Sequence, residues 1–326
     1  MRKRYAEEPL IKSTPIRPRP LPLQATIGVY APSGVVNMPR LTAGIAALEK
    51  QGHHVICTPD IANQWRYFAG TDNERLAGFN TLLANKSVDM MMIARGGYGW
   101  SRLLHRIDWQ SVRDSGKIFV GFSDFTAFNL AALAKANLLT FAGPGVATDF
   151  GDTDNKPEVQ ADHQFMQAHF WPVVRGEPIT AGFFADVQHN AANAIEGLLW
   201  GSNLSLLTHL VGTPYMPDIE GGILFIEEIA EQPYAIERMF MQLFHAGILQ
   251  KQKALILANF TDCNPEPGRF PYSMEHVIET LQEKLPYPVL TGLPFGHVAR
   301  KLTLPFGALA RVTMDSAGYS LTLNIH

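Results

Sequence analysis

Residues 117–130 read KIFVGFSDFTAFNL, an apolar run that stops at Gly-Phe-Ser and opens at once into a helix pattern. Ile118, Phe119 and Val120 predict a buried strand, Gly121 permits a sharp turn, and Phe125, Phe128, Leu130 and Leu133 recur at roughly helical spacing. Ser123 therefore falls between a strand end and a helix N-terminus. N–H groups without intrahelical partners and the helix dipole favour negative charge there, so an oxyanion or a nucleophile's partial charge would be stabilised. This is the geometry of a nucleophile elbow. The same residues also read as a helix cap, by Ser123 or Asp124, and local sequence leaves both readings open.

Upstream, the pattern alternates. Ala25–Ala31 reads as a strand, Pro32-Ser33-Gly34 as a turn, and Leu41, Ile45 and Leu48 as a helix face ending at Gly52. His54–Cys57 is a second strand, Thr71 and Glu74 form a capping box ahead of Leu76, Phe79 and Leu83, and Val88–Ala94 is a third strand. Arg95-Gly96-Gly97-Tyr98-Gly99 follows it, then a helix carrying Leu103, Leu104 and Ile107, then the strand before Ser123. Strand-helix alternation implies a parallel sheet, whose sites form outside the carboxyl ends of the strands, so RGGYG and GFSDF should face one crevice. RGGYG matches neither G-x-G-x-x-G nor G-x-x-x-x-G-K-[ST], which argues against a nucleotide cradle. Its glycine N–H groups could equally supply half an oxyanion hole, or simply make a tight turn.

Leu138–Gly145 closes this unit as a further strand, and a helix with Phe165, Met166 and Phe170 ends at Trp171-Pro172. Val173–Asn190 has little periodicity, as an interdomain connection would. The second half gives a strand at Gly222–Ile229, a helix at Ala235–Ala246, a strand at Ala254–Phe260, and a short helix at Asn203–Leu210. Short, often alternating segments follow at Pro288–Leu290, Lys301–Pro305, Ala308–Met314 and Tyr319–Ile325, as in an antiparallel sheet or barrel. The expected fold is α/β: an extended tail over 1–24, a Rossmann- or flavodoxin-like parallel-sheet domain over 25–150, a connection over 151–190, and a mixed, β-rich, barrel-like domain over 191–326.

Composition narrows the function. The chain has 326 residues, 46% apolar and 17% charged, with a net charge of -3, which gives no electrostatic argument for nucleic acid or an anionic membrane and favours small-molecule partners. Two cysteines, Cys57 and Cys263, are too few for a disulfide framework or a zinc site and fit a reducing compartment. Arg2, Lys3 and Arg4 are followed by acids and prolines rather than an apolar core, so no signal peptide is expected and the cytoplasm is the expected location. No stretch approaches the roughly 18 apolar residues that cross a bilayer.

A serine nucleophile needs a base within hydrogen-bond reach and an acid to orient that base. His297, in LPFGHVAR, follows a glycine in a loop, although a single loop histidine is usually just solvated; Glu227 lies inside GGILFIEEI, an acid in an otherwise buried strand. Consecutive strand residues face opposite ways, so only one of Glu227 and Glu228 can face His297. The other histidines show no H-E-x-x-H spacing, and zinc hydrolysis has little support.

The chain resembles the LD-carboxypeptidases, the muramoyl-tetrapeptide carboxypeptidases of serine peptidase family S66. The resemblance is carried by APSG (31–34), FAGTDNERL (68–76), RGGYGWSRLL (95–104), GFSDFTA (121–127) and TFAGP (140–144). It continues through EGLLWGSNLSLL (196–207), IEEIAEQPYAIERMFMQL (226–243) and LPFGH (293–297). It implies a Ser-Glu-His triad on Ser123, Glu227 and His297, no metal or organic cofactor, and release of terminal D-alanine from a murein tetrapeptide or its muropeptide. It also implies an oxyanion hole from the N–H groups of Gly97 and Asp124, with Arg95, Gly96, Tyr98, Asn203 and Glu228 as substrate-binding candidates. No nucleic-acid or membrane partner is implied; a homodimer remains open. Ala235 stands where the family usually has arginine after Pro-Tyr or Pro-Phe, and GFSDF departs from the G-x-S-x-G of α/β-hydrolases. Two alternatives stay in view: a self-immunity hydrolase of the same family that cleaves an aminoacyl-nucleotide antibiotic, and a non-catalytic two-lobed binding protein.

Overall fold

A computed structural model of the chain describes residues 14–184, 194–266, 268 and 271–324. Its first half runs β1 (Thr26–Tyr30), α1 (Met38–Lys50), β2 (His54–Cys57), α2 (Asp72–Ala84), β3 (Met90–Ile93), α3 (Trp109–Asp114), β4 (Ile118–Gly121), α4 (Thr126–Ala136), β5 (Thr140–Ala142) and α5 (Pro157–Val174). The second runs β6 (Ile179–Phe184), β7 (Ile195–Asn203), α6 (Leu204–Leu210), β8 (Ile223–Ile229), α7 (Pro233–His245), β9 (Ala254–Thr261), α8 (Met274–Lys284), β10 (Val289–Thr291), β11 (Leu304–Phe306), β12 (Leu309–Asp315) and β13 (Gly318–Asn324).

The first sheet has the order β11-β5-β4-β3-β1-β2, parallel except where β11 runs against β5. Both of its faces are covered, which explains why its strands are apolar at successive positions. Ile27, Val29, Met90, Met92, Ile118 and Val120 pack on one side with Leu41 and Leu48 of α1 and Met166 and Phe170 of α5. Met91 and Phe119 point the other way, toward Phe79 of α2 and Phe128 of α4, in a core that continues into Leu199, Phe225 and Ile256 of the second sheet. Thr71 caps α2, with Glu74 completing the box.

The second sheet has the order β10-β9-β8-β7-β12-β13-β6. β10, β9, β8 and β7 pair in parallel; β7, β12, β13 and β6 pair antiparallel. The sequence distinguishes the two parts. ILFIEEI of β8 is buried almost throughout, whereas LARVTMD of β12 alternates exposed and buried, with one face in water. The architecture is the expected mixed α/β one, a mostly parallel sheet with helices and a mixed β-rich second sheet.

Several elements differ from expectation. The helix through Leu103 and Ile107 is two 3-10 turns, Trp100–Arg102 and Leu104–Arg106, and α3 begins only at Trp109, because the Asp108 carboxylate accepts from the N–H groups of Gln110 and Ser111 and restarts the helix there. α5 continues past Pro172 to Val174, drawn on by burial of Val173 and Val174. Ile179–Phe184, read as connection, is β6, held by β13; residues 185–190 of that reading lie outside the described residues. α8 lies outside the elements expected from sequence, although Val277 and Leu281 form its buried face. Of the tail, residues 1–13 lie outside the described residues; beyond them Leu21 is buried and its N–H bonds the Val174 carbonyl at 2.9 Å, while Ile16 and Leu138 form a bridge. Among the described residues no helix is long and apolar enough to cross a membrane.

Candidate active site

β4 delivers Ser123. A Cβ on Gly121 would sit 2.6 Å from Phe125 Cγ, so only glycine allows the chain to fold back this tightly. Ser123 itself has φ +61°, a left-handed conformation that costs a non-glycine residue roughly 1–3 kcal/mol and turns its side chain out of the 3-10 turn Ser123–Phe125. Neither reading as a helix cap describes these side chains: no side-chain cap bond exists at the 3-10 turn or at α4. Ser123 Oγ lies 2.9 Å from His297 Nε2. Asp124 turns inward, its Oδ2 accepting from Ser33 Oγ at 2.6 Å and from the Trp100 N–H at 2.9 Å. Burial pushes its carboxyl up to about 6, against the pull of those two bonds and of the Arg75 charge.

The RGGYG loop after β3 meets the same point. A Cβ on Gly96 would fall 2.8 Å from Ser123 Cβ and 3.0 Å from Oγ, so the close approach of this backbone depends on glycine. Gly97, at φ +120°, faces the Tyr67 hydroxyl instead. Arg95 donates to the carbonyls of Gly96 (3.1 Å) and Val35 (3.2 Å), tying RGGYG to the loop after β1, and Tyr98 stands 43% exposed beside Phe68. The loops after β1, β3 and β4 therefore converge beyond the carboxyl ends of these strands.

The second sheet positions the other two side chains, His297, which meets Ser123, and Glu227, which meets His297. Glu227 is fully buried in β8, and its Oε2 lies 2.8 Å from His297 Nδ1. With the proton on Nδ1, that nitrogen donates to the carboxylate and Nε2 is left to accept from the Ser123 hydroxyl. Gly296, at φ +124°, makes the turn possible, since a Cβ there would come within 3.0 Å of Glu227 Oε2. The β8–β9 register slips between Ile226–Leu257 and Glu228–Phe260, a bulge opposite Glu227. The bulged Asn259 donates its N–H to the Phe295 carbonyl (3.0 Å) and Thr261 Oγ1 donates to the His297 carbonyl (3.3 Å), so the irregularity aims the histidine loop.

Glu228 points to the opposite face of β8, as strand alternation requires. Its carboxylate accepts from Asn203 Nδ2 and the Ile229 N–H (both 2.9 Å), and from the N–H and Oγ of Ser205 at the start of α6 (both 2.7 Å). Burial raises its pKa, only partly offset by those bonds. Asn203 caps α6 through the Leu206 N–H, and its own N–H donates to Thr126 Oγ1 (3.2 Å) beside the Ser123 turn. Asn203 and Glu228, two of the five expected substrate-binding residues, are thus enclosed and bonded within the protein. Ser33 and Thr126 join the expected residues here, and the signal for them in the sequence is their place inside the blocks APSG and GFSDFTA. Among the described residues no group of three His, Cys, Asp or Glu could hold a metal ion.

Ser123 of the first sheet thus meets His297 and, through it, Glu227 of the second, and both halves of the chain match known proteins. The family model described as the LD-carboxypeptidase N-terminal domain matches residues 27–143, which contain Ser123, and the model of the LD-carboxypeptidase C-terminal domain matches 196–312, which contain Glu227 and His297. The probable murein peptide carboxypeptidase of Bacillus subtilis is 34% identical over 90% of this chain and 90% of its own. The microcin C7 self-immunity protein MccF of Escherichia coli is 29% identical over 96% of this chain and 97% of its own. The crystal structure of muramoyltetrapeptide carboxypeptidase from Oxalobacter formigenes superposes with a TM-score of 0.83 at 37% identity, covering 92% of this chain and 99% of that one. With both halves matched in order and the geometry continuous between them, the chain belongs to the LD-carboxypeptidase family.

Proposed function

We propose that the protein is a serine-type carboxypeptidase that releases terminal D-alanine from murein tetrapeptides, cutting the bond between the L-centre of the diamino acid and D-alanine. The observation that carries this reading is the unbroken relay Ser123 Oγ, His297 Nε2, His297 Nδ1, Glu227 Oε2, with spans of 2.9 and 2.8 Å. His297 takes the Ser123 proton as the oxygen attacks the carbonyl, and Glu227 holds the imidazole and stabilises the imidazolium that forms. The N–H groups of Asp124 and Gly97 receive the oxyanion; His297 then returns its proton to the leaving amine, and water releases the acyl-enzyme. Arg95 and Tyr98 border the substrate side, and among the described ion pairs Arg95 has no carboxylate partner, which leaves its charge available to a peptide carboxylate. Work in the cytoplasm, on wall fragments undergoing recycling, suits this substrate; a homodimer is the assembly we would look for first.

Likeness to the self-immunity protein over nearly the whole chain supports a second substrate, an aminoacyl-nucleotide, for the same relay. Mass spectrometry of reactions with murein tetrapeptide and with an aminoacyl sulfamoyl adenosine separates the two. The expected result is loss of one alanine from the tetrapeptide. Cleavage of the nucleotide conjugate alone would transfer the reading to the second substrate, and neither product would leave a binding protein.

A further inference from the structure

We propose that Lys301 is a positioning residue for the Ser123–His297 pair, an inference that rests on the serine mechanism above. Lys301 lies four residues beyond His297, in a loop closed by the Leu302 N–H on the Pro294 carbonyl at 2.8 Å. Its side chain is 2% exposed, and its Nζ meets two groups from the first half of the chain. One is Asp149 Oδ1 at 2.7 Å; the other is the face of the Phe122 ring, 3.7 Å from its centroid. Asp149 is itself fixed, its Oδ2 accepting from the Gly145 N–H and Thr148 Oγ1, both at 2.8 Å. Phe122 immediately precedes Ser123, and its ring centroid lies 5.2 Å from that of His297, inclined at 60°. Ammonium, aromatic ring and imidazole are therefore in serial contact, and the ring at their centre belongs to the residue that leads into the nucleophile.

A buried ion pair is a weak source of stability, because desolvation consumes most of the attraction and apolar residues of similar shape often serve as well. What this pair supplies is direction. A charge-assisted bond fixes the distance between the loop of the base and the loop after β5, and the cation holds the Phe122 ring through its π face. Proton transfer from Ser123 to His297 depends on that distance, and a misplacement of about 1 Å costs about 100-fold in rate.

The double variant Lys301→Met with Asp149→Asn removes both charges at nearly constant shape and leaves no buried ion unpaired. Two readouts are needed: kcat and KM on murein tetrapeptide, and the rate at which a fluorophosphonate modifies Ser123, which requires the Ser–His pair but no bound peptide. Expected are a fall of about 10- to 100-fold in both kcat and labelling rate, with KM changed by less than about threefold, in a protein that unfolds near the wild-type temperature. A folded variant that labels within about threefold of wild type overturns the proposal, because a merely structural pair would not move this rate. If the double variant does not fold, Phe122→Leu, which keeps the ion pair and removes the ring between ammonium and imidazole, carries the same expectation and is overturned by the same result. Wild-type protein that resists labelling, together with a Ser123→Ala variant that still turns over, would instead remove the serine mechanism and the role of Lys301 with it.

Discussion

Glu227 and Glu228 are adjacent and both buried, yet their surroundings differ in kind. Glu228 takes four protein donors from Asn203, Ser205 and Ile229. Glu227 takes a single side-chain donor, His297 Nδ1, and its Oε1 has no partner among the described residues. Those donors tie Glu228 to the start of α6, and in the mechanism proposed above we assign it to the framework. An unsaturated carboxylate in a buried site gains most when the imidazole beside it becomes cationic, which is the moment the nucleophile loses its proton. On the proposed mechanism, the number of donors around a buried acid distinguishes framework from chemistry where burial alone does not.

The sharpest way to break this contrast is to remove what Glu227 ultimately serves. Ser123→Ala should lower turnover by about 10⁴-fold or more with folding intact, since its oxygen caps no helix; activity within about tenfold of wild type would end the serine mechanism. Next in size, Glu227→Gln should reduce kcat by about 10³- to 10⁴-fold, while Glu228→Gln reduces it by less than about tenfold and instead lowers stability by about 1–3 kcal/mol, because an amide N–H would face the Ser205 or Asn203 donors. Steady-state kinetics and denaturant unfolding on the two variants decide this, and reversed losses would invert the assignment. An effect on stability rather than turnover belongs to another buried acid, Asp124, which has two donors on one oxygen and none described on the other. Folded Asp124 holds its proton to about pH 6, whereas the unfolded chain releases it near the ordinary value of 3.8, so the native state binds more protons between these values. Stability therefore falls as pH rises from about 4 to about 6, by an amount of order 2–3 kcal/mol. Asp124→Asn should flatten that part of an unfolding-versus-pH curve, leaving the weaker slope of the same sign that Glu228 contributes; an unchanged curve would mean Asp124 is ionised throughout.

What could be read in the sequence was whatever local patterning specifies. The run from Ile118 through Gly121 into Phe125 contains its own strand, turn and helix signals, and the Thr71–Glu74 box and the alternation of β12 are equally local. What escaped was whatever is defined by a distant partner. β6 has no strong period of its own and is a strand because β13 lies beside it. Lys301 and Asp149 are far apart in the chain, and neither stands in a motif; only the fold brings an ammonium onto Phe122. Asn203 and Glu228 were legible as polar residues in apolar blocks, but the sequence does not say that they bond each other rather than a substrate. The bulge opposite Glu227 is likewise a property of pairing, although it is what aims the loop of His297.

One three-residue strand bears on how the molecule could be divided. β11 comes from the last part of the chain, yet it pairs antiparallel with β5 at the edge of the first sheet before the chain returns through Gly307, at φ +92°, to β12. A gene cut after α5 would therefore not release a self-sufficient first half. The upstream fragment would carry β5 as an open edge, able to pair with a foreign strand, and the downstream fragment would carry an unpaired strand made to fit it. Such pieces suit a split-protein reporter better than they suit independent inheritance, and shuffling one half against an unrelated partner would sacrifice the edge along with the contacts of Ser123 with His297.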